Sequence, residues 1–279
     1  MRRALGVLLV AALAAPAGPA AGASGGPRAV PARPALRSAV AYARHRRGVV
    51  SFAVISSRGR LRGLDATRHY RAASLTKAML LVAFLRRLGA RDVPAADRRL
   101  LGPMIHRSDN RAASAIYARL GDPPLVRLAR KARMTGFGPA GAWSEARITA
   151  ADQARFFRRW RALVPPRHRS YARALLGGIV GEQRWGVPAG MPAGWTAEFK
   201  GGWRRVLVHQ AARLQHGHRV IALAVLTDAN PSQAYGRATI AGITRRLLAE
   251  PAAARRARAR SPAAALAPLG RVLPGEPAV

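Results

Sequence analysis

Ser74 and Lys77 stand three residues apart at the head of an apolar run, in Ser74-Leu75-Thr76-Lys77. Residues i and i+3 share one face of a helix, so a hydroxyl and an ammonium can meet there without any long-range coincidence of folding. The chemistry open to such a pair is nucleophilic: the hydroxyl attacks a carbonyl while a neutral amine takes its proton. Burial and neighbouring positive charge would lower the lysine pKa towards that role. The positive end of the helix would favour the alkoxide and the oxyanion formed after it.

Two further runs carry compatible groups. In Ser108-Asp109-Asn110 the hydroxyl could relay a proton to a leaving nitrogen, and the Asn110 amide could bind both Lys77 and a substrate carbonyl. The tripeptide also fits a plain helix N-cap ahead of Arg111-Ala112-Ala113. In Lys200-Gly201-Gly202 two glycines remove side chains from a strand, which suits the close approach of another backbone; an ordinary strand bend reads the same way. The order S-x-x-K, S-D-N, K-x-G uses two of the three lysines (Lys77, Lys131 and Lys200) and one of the two asparagines (Asn110 and Asn230) in a chain with 45 arginines.

The elements that must hold these runs follow from patterning. Ala35 to Arg47 reads as a helix; Val49 to Ser56 and Leu61 to Leu64 read as a hairpin turning at Arg58-Gly59. Ser74 to Leu88 is apolar on all faces and therefore a buried helix. Leu100 to Leu120, Pro124 to Ala132 and Thr149 to Leu163 read as helices, the last with Thr149 and Asp152 as an N-cap pair. Trp195 to Gly202, Val206 to Leu214 and Arg219 to Thr227 read as strands, the last two joined at His216-Gly217-His218, and Ser232 to Leu248 closes the domain as a helix. The expectation is an α+β fold: an antiparallel sheet from N- and C-terminal strands, flanked by helices, with an inserted all-helical subdomain.

The 279 residues carry 48 Lys and Arg against 12 Asp and Glu, for a formal charge of +36, with 49% hydrophobic residues and no cysteine. The apolar content suits a packed core; the missing cysteines exclude disulfides, thiol nucleophiles and Cys-ligated zinc. Arg2, Arg3 and the apolar stretch Ala4 to Ala15 read as a signal peptide over 1–23, directing the chain to the outside or the cell envelope. Residues 24–35 read as a linker, 36–250 as the catalytic domain, and 251–279 as an Ala/Pro/Arg-rich tail. The arginine runs are scattered, which argues against a dedicated nucleic-acid reader. They suit either a solvated surface or attraction to anionic envelope polymers. His209, His216 and His218 lack a carboxylate cluster and are read as surface or hairpin residues rather than metal ligands. His106 is a candidate for the edge of a pocket, and Trp203 for its wall.

Taken together, the three runs resemble those of the penicillin-recognising serine hydrolases, most closely the class A β-lactamases. The resemblance covers about residues 36–250. It implies Ser74 as nucleophile, Lys77 as base or shuttle, Ser108 as proton relay and Asn110 as orienter of Lys77 and the acyl side chain. It implies Lys200 as holder of the substrate carboxylate, and an oxyanion hole from the N–H groups of Ser74 and Trp203, the latter just past Gly202. It calls for no cofactor or metal, and the expected partner of the monomeric chain is a β-lactam or a peptidoglycan-type peptide. Two departures bear on turnover. Gly201 replaces the family's Thr or Ser, losing a hydrogen bond worth about 1 kcal/mol. The family's Glu-x-x-x-Asn loop pattern is absent, and Glu145 is the nearest stand-in. The expected activity is therefore acyl-enzyme formation with slow hydrolysis of a lactam or D-alanyl amide. D,D-peptidase-like action and non-catalytic envelope binding are the alternatives.

Overall fold

The computed structural model describes residues 31–56 and 58–249. The signal peptide, most of the linker and the tail lie outside the described residues. Within them the chain runs α1 (Arg33–Arg44), β1 (Val49–Ile55), β2 (Leu61–Leu64), β3 (His69–Arg71), α2 (Thr76–Leu88), α3 (Ala95–His106), α4 (Asn110–Leu120) and α5 (Asp122–Ala132). It continues through β4 (Arg147–Thr149), α6 (Ala150–Leu163), α7 (Arg169–Gly177), α8 (Val187–Gly190), β5 (Thr196–Arg204), β6 (Leu207–His216), β7 (Arg219–Asp228) and α9 (Gln233–Leu248).

Five strands form one antiparallel sheet in the order β2-β1-β7-β6-β5. The hairpin from the first third of the chain is thus joined to the last third along β7, and β2 and β5 are left as the edges. Helices α1, α8 and α9 pack on one face and α6 on the other. β1, β6 and β7 are buried along most of their length, as strands covered on both faces must be. The helices from α2 to α5, with α7, form the inserted helical region, and α2 runs through its centre with Thr76 to Leu85 all buried.

Caps explain several boundaries. The Thr149 hydroxyl accepts from Asp152 N at 3.1 Å, starting α6. The Asp152 carboxylate does not return to the Thr149 amide; it accepts from Thr135 N and Gly136 N, both at 2.8 Å, and so pins the start of the loop over 136–148. Ser232 caps α9 in the same manner as Thr149 caps α6.

The expected helix from Leu100 to Leu120 is two helices, because Ser108 adopts φ +60° and Arg107 and Asp109 both donate to the Pro103 carbonyl. The first helix starts at Arg33, inside the expected linker, with a proline in its first turn.

Candidate active site

Ser74 sits in a single 3₁₀ turn, Ala73–Leu75, that runs directly into α2. The short ladder β3–β4 delivers it there. Beyond the named strands the ladder continues, with Ala72 N donating to Ala146 O at 2.8 Å and Ala73 N to Ser144 O at 2.9 Å. The 136–148 loop is thereby laid beside the serine. Ala73 at φ +46° and Ser108 at φ +60° are non-glycine residues in the left-handed region, each costing on the order of 1–3 kcal/mol. Both lie beside the expected catalytic groups, where such strain concentrates.

β5 approaches from the other side. A Cβ on Gly202 would lie 2.9 Å from Ser74 N and 3.0 Å from Leu75 N, so only a bare backbone fits against the serine's turn. Gly201 answers to a different neighbour: a Cβ there would meet the Trp185 ring at 3.2 Å. The indole of Trp185 occupies the side of the strand on which a threonine at this position would project. Trp185 packs edge to face on Trp203, ring centroids 5.8 Å apart.

The two lysines converge on one hydroxyl. Lys77 Nζ donates to Ser108 O at 2.5 Å, Ser108 Oγ at 3.2 Å and Asn110 Oδ1 at 2.7 Å. Lys200 Nζ donates to the same Ser108 Oγ at 3.1 Å and to Gly201 O at 2.9 Å. Both lysines are completely buried. Desolvation, partly offset by the negative charge of Asp109, lowers the Lys77 pKa to about 8. Desolvation and then the neighbouring Lys77 charge push Lys200 well below the ordinary lysine value. Lys77 makes no hydrogen bond to Ser74, because all three of its donors are committed to Ser108 and Asn110. The Asp109 carboxylate accepts from Ala112 N at 2.7 Å and so caps α4, as the N-cap reading of this tripeptide expects, while its two neighbours meet Lys77.

A cavity of about 230 Å³ opens here, lined by Ser74, Asn110, Trp143, Ser144, Trp203 and Arg204 among others. Trp203 is the wall anticipated from sequence. Trp143 faces it from the loop; its ring lies 4.7 Å from Lys77 Nζ, and its Nε1 donates to Ser114 Oγ at 3.2 Å. Nothing in the sequence singled out Trp143 among the tryptophans. Lys77, Ser108 and Lys200 lie behind this lining: Lys77 reaches it at Asn110, and Lys200 Nζ lies 5.9 Å from the Trp203 ring.

Glu145 does not line the cavity. Its carboxylate accepts from Arg204 at 2.5 Å, pairs with Arg71 at 3.2 Å and accepts from the Ser144 hydroxyl. Burial acts to raise its pKa, but the Arg204 and Ser144 hydrogen bonds and the two arginine charges outweigh it, and the net shift is downward. His106 is also away from the cavity: its Nε2 would lie 3.1 Å from a Cβ on Gly178, and its carbonyl accepts from Val180 N. Of the other histidines, His209 is buried, accepts from Thr227 N at Nδ1 and therefore donates from Nε2 to Arg71 O at 3.1 Å. His216 stacks on Trp195. Among the described residues no group of three or more His, Cys, Asp or Glu is gathered as a metal site would need.

The fold has counterparts among solved structures. A β-lactamase from Sphaerobacter thermophilus is similar at TM-score 0.67 and 20% identity, covering 77% of this chain and 95% of that one. PBP-A is similar at TM-score 0.67 and 17% identity, covering 79% and 98%. The class A β-lactamase from Mycobacterium abscessus is similar at TM-score 0.64 and 21% identity, covering 77% and 98%. No curated protein matches the sequence. The profile of the Beta-lactamase enzyme family matches residues 96–250, a stretch that contains Ser108, Asn110 and Lys200 and begins after Ser74 and Lys77. That match spans more than half of the chain, which therefore belongs to the beta-lactamase enzyme family and is a serine hydrolase.

Proposed function

We propose that the protein is exported and forms an acyl-enzyme at Ser74 with a β-lactam or a D-alanyl peptide amide, and that it releases the acyl group slowly. The observation that carries this reading is the convergence of Lys77 and Lys200 on the Ser108 hydroxyl, with Lys77 also donating to Asn110, which lines a cavity together with Ser74 and no carboxylate.

In this reading Ser74 Oγ attacks the substrate carbonyl and gives its proton to neutral Lys77. With a pKa of about 8, Lys77 is neutral in roughly a tenth of molecules at pH 7. To receive the proton, Lys77 exchanges one of its present acceptors for Ser74. The proton then travels through Ser108 to the leaving nitrogen. The strand register supports an oxyanion hole at Ser74 N and Trp203 N. A two-residue turn at Arg205–Val206 makes Arg204 and Leu207 a hydrogen-bonded pair, so the alternation of the ladder turns the Trp203 N–H out of the free edge of β5. Gly202, packed against Ser74 N, brings that N–H to the serine's turn. A protonated Lys200, beside Ser108 and behind Trp203, would favour a substrate carrying a carboxylate next to its scissile amide. Both a penicillin and a D-alanyl peptide have one.

Slow release follows from the loop. A water attacking the ester needs a base, and the nearest glutamate is held by two arginines at a lowered pKa outside the cavity. One structural neighbour, a point mutant of PBP-A, was solved as an acyl-enzyme complex with penicillin G, which lends support to a stable adduct on this fold. Incubation with a fluorescent penicillin, followed by peptide mass spectrometry, tests the reading. It requires an adduct on Ser74 in the wild type and none in Ser74→Ala. A folded wild type that stays unlabelled at high concentration contradicts it.

A further inference from the structure

Roughly 18 Å along the helix separates Ser74 from Arg86, in the last turn of α2, at 1.5 Å per residue. There a second cleft of about 490 Å³ opens between α2 and α5. Its floor is apolar, formed by Ala83, Leu120 and Leu128, and four cations surround it: Arg86, Arg87, Arg127 and Lys131. No acidic residue lines it. Two of the cations are held in place by main-chain acceptors: Arg86 donates to Leu163 O at 2.6 Å, and Arg87 donates to Arg119 O. Each keeps guanidinium N–H groups beyond that bond. Arg127 and Lys131, four residues apart on one face of α5, make no hydrogen bond or ion pair among the described residues. Two like charges at that spacing destabilise a helix.

Lys131 is itself unusual in this chain. The chain uses arginine 45 times and lysine three times. Two of those lysines meet at Ser108, and the third is Lys131, in this cleft. Its compact, rotatable ammonium is a point charge, suited to a phosphate oxygen at a spot where a planar fork is not needed.

We propose that this cleft is a binding site for a phosphate-bearing anion carrying more than one negative charge, separate from the chemistry at Ser74. Arg86 and Arg87 present a fixed edge, Arg127 and Lys131 close on the ligand from α5, and the apolar floor takes an uncharged part of the molecule. The cleft has the size of a small-ligand site. A free polyphosphate and a phospholipid headgroup share this chemistry.

Calorimetric titration of the folded protein with sodium tripolyphosphate, and cosedimentation with phosphatidylglycerol vesicles, test the proposal at fixed ionic strength. Binding is measured for the wild type, Arg127→Glu/Lys131→Glu, and a control of equal charge change on exposed residues elsewhere, Arg37→Glu/Arg219→Glu. The proposal expects one saturable site, weakened at least tenfold by the cleft variant and by no more than about twofold by the control. Saturable tripolyphosphate binding identifies a free anion as the ligand source, and cleft-dependent binding to vesicles alone identifies a headgroup. Should the charge reversals unfold the domain, Lys131→Gln is read in their place, with a loss of at least threefold expected. Equal weakening in cleft variant and control, or no saturable binding to either probe, overturns the proposal.

Discussion

At the level of single residues, the reactivity of Ser74 depends on the protonation of Lys77 in the proposed reaction. A base must be neutral to act, so acylation of Ser74 is expected to accelerate as pH rises from 6.5 to about 8 and to level off above it, following the lowered pKa of Lys77. Stopped-flow labelling with a chromogenic cephalosporin reads this directly, and Lys77→Met should lose on the order of 10²–10⁴-fold in rate. A flat profile across that range would remove Lys77 from the role of base. Glu145 provides the opposite case. Since it is clamped by Arg71 and Arg204 outside the cavity, Glu145→Gln should change deacylation by no more than about threefold, while general-base loss would cost at least 10². A hundredfold slower release in that variant would make Glu145 the missing base. The sequence pointed to Ser74, Lys77, Ser108, Asn110 and Lys200 through residue types and spacing. It did not point to Trp143, because a tryptophan in a loop carries no pattern that separates a cavity wall from core filling.

At the scale of elements, the site depends on how closely β5 approaches the turn before α2. The two adjacent glycines make a sharp contrast. Gly202→Ala sets a methyl 2.9 Å from a backbone nitrogen and should slow acylation by at least 10²-fold, whereas Gly201→Ala meets only the movable rim of Trp185 and should stay within about tenfold of wild type. Equal effects in labelling kinetics would mean that β5 does not set the geometry. His209 ties β6 to the strand leading to Ser74, and burial, partly offset by its hydrogen bonds, lowers its pKa to about 4. The unfolded chain takes up this proton below about pH 6.5, while the folded chain refuses it down to about 4. Stability should therefore fall as pH drops through that window, by up to about 3 kcal/mol from this residue. Urea midpoints at pH 7 and pH 5 should converge in His209→Gln relative to wild type; an unchanged pH slope would contradict that assignment. Long elements with strong periodicity, such as α2, β6 and β7, were readable in advance. β3 and β4 were not, being three residues each and formed by pairing with each other. Nor was the break at Ser108, whose left-handed backbone sits among contacts with Lys77 and Lys200 from distant parts of the chain.

Across the whole molecule, the joining of N- and C-terminal strands in one sheet brings distant runs together. β1 pairs with β7 across most of the sequence, and Lys200 reaches Ser108 over 92 positions. The order of the three runs anticipated that meeting, and the α+β layout followed from strands at both ends with helices between. The charge was harder to interpret. With 48 basic and 12 acidic residues the sequence has positive charge almost everywhere, and only the folded arrangement distinguishes a cleft whose cations form no ion pair among the described residues from arginines held on carboxylates, such as Arg161 and Arg213 on Glu198. Among the described residues no helix is long and apolar enough to cross a membrane. The most direct measurement of the central claim is the lifetime of a penicillin adduct, followed by intact-protein mass spectrometry after a short pulse and removal of free drug. One penicillin per chain is expected, located on Ser74 and persisting for minutes or longer. A folded protein that never acquires the adduct, or that clears it within seconds, would contradict it.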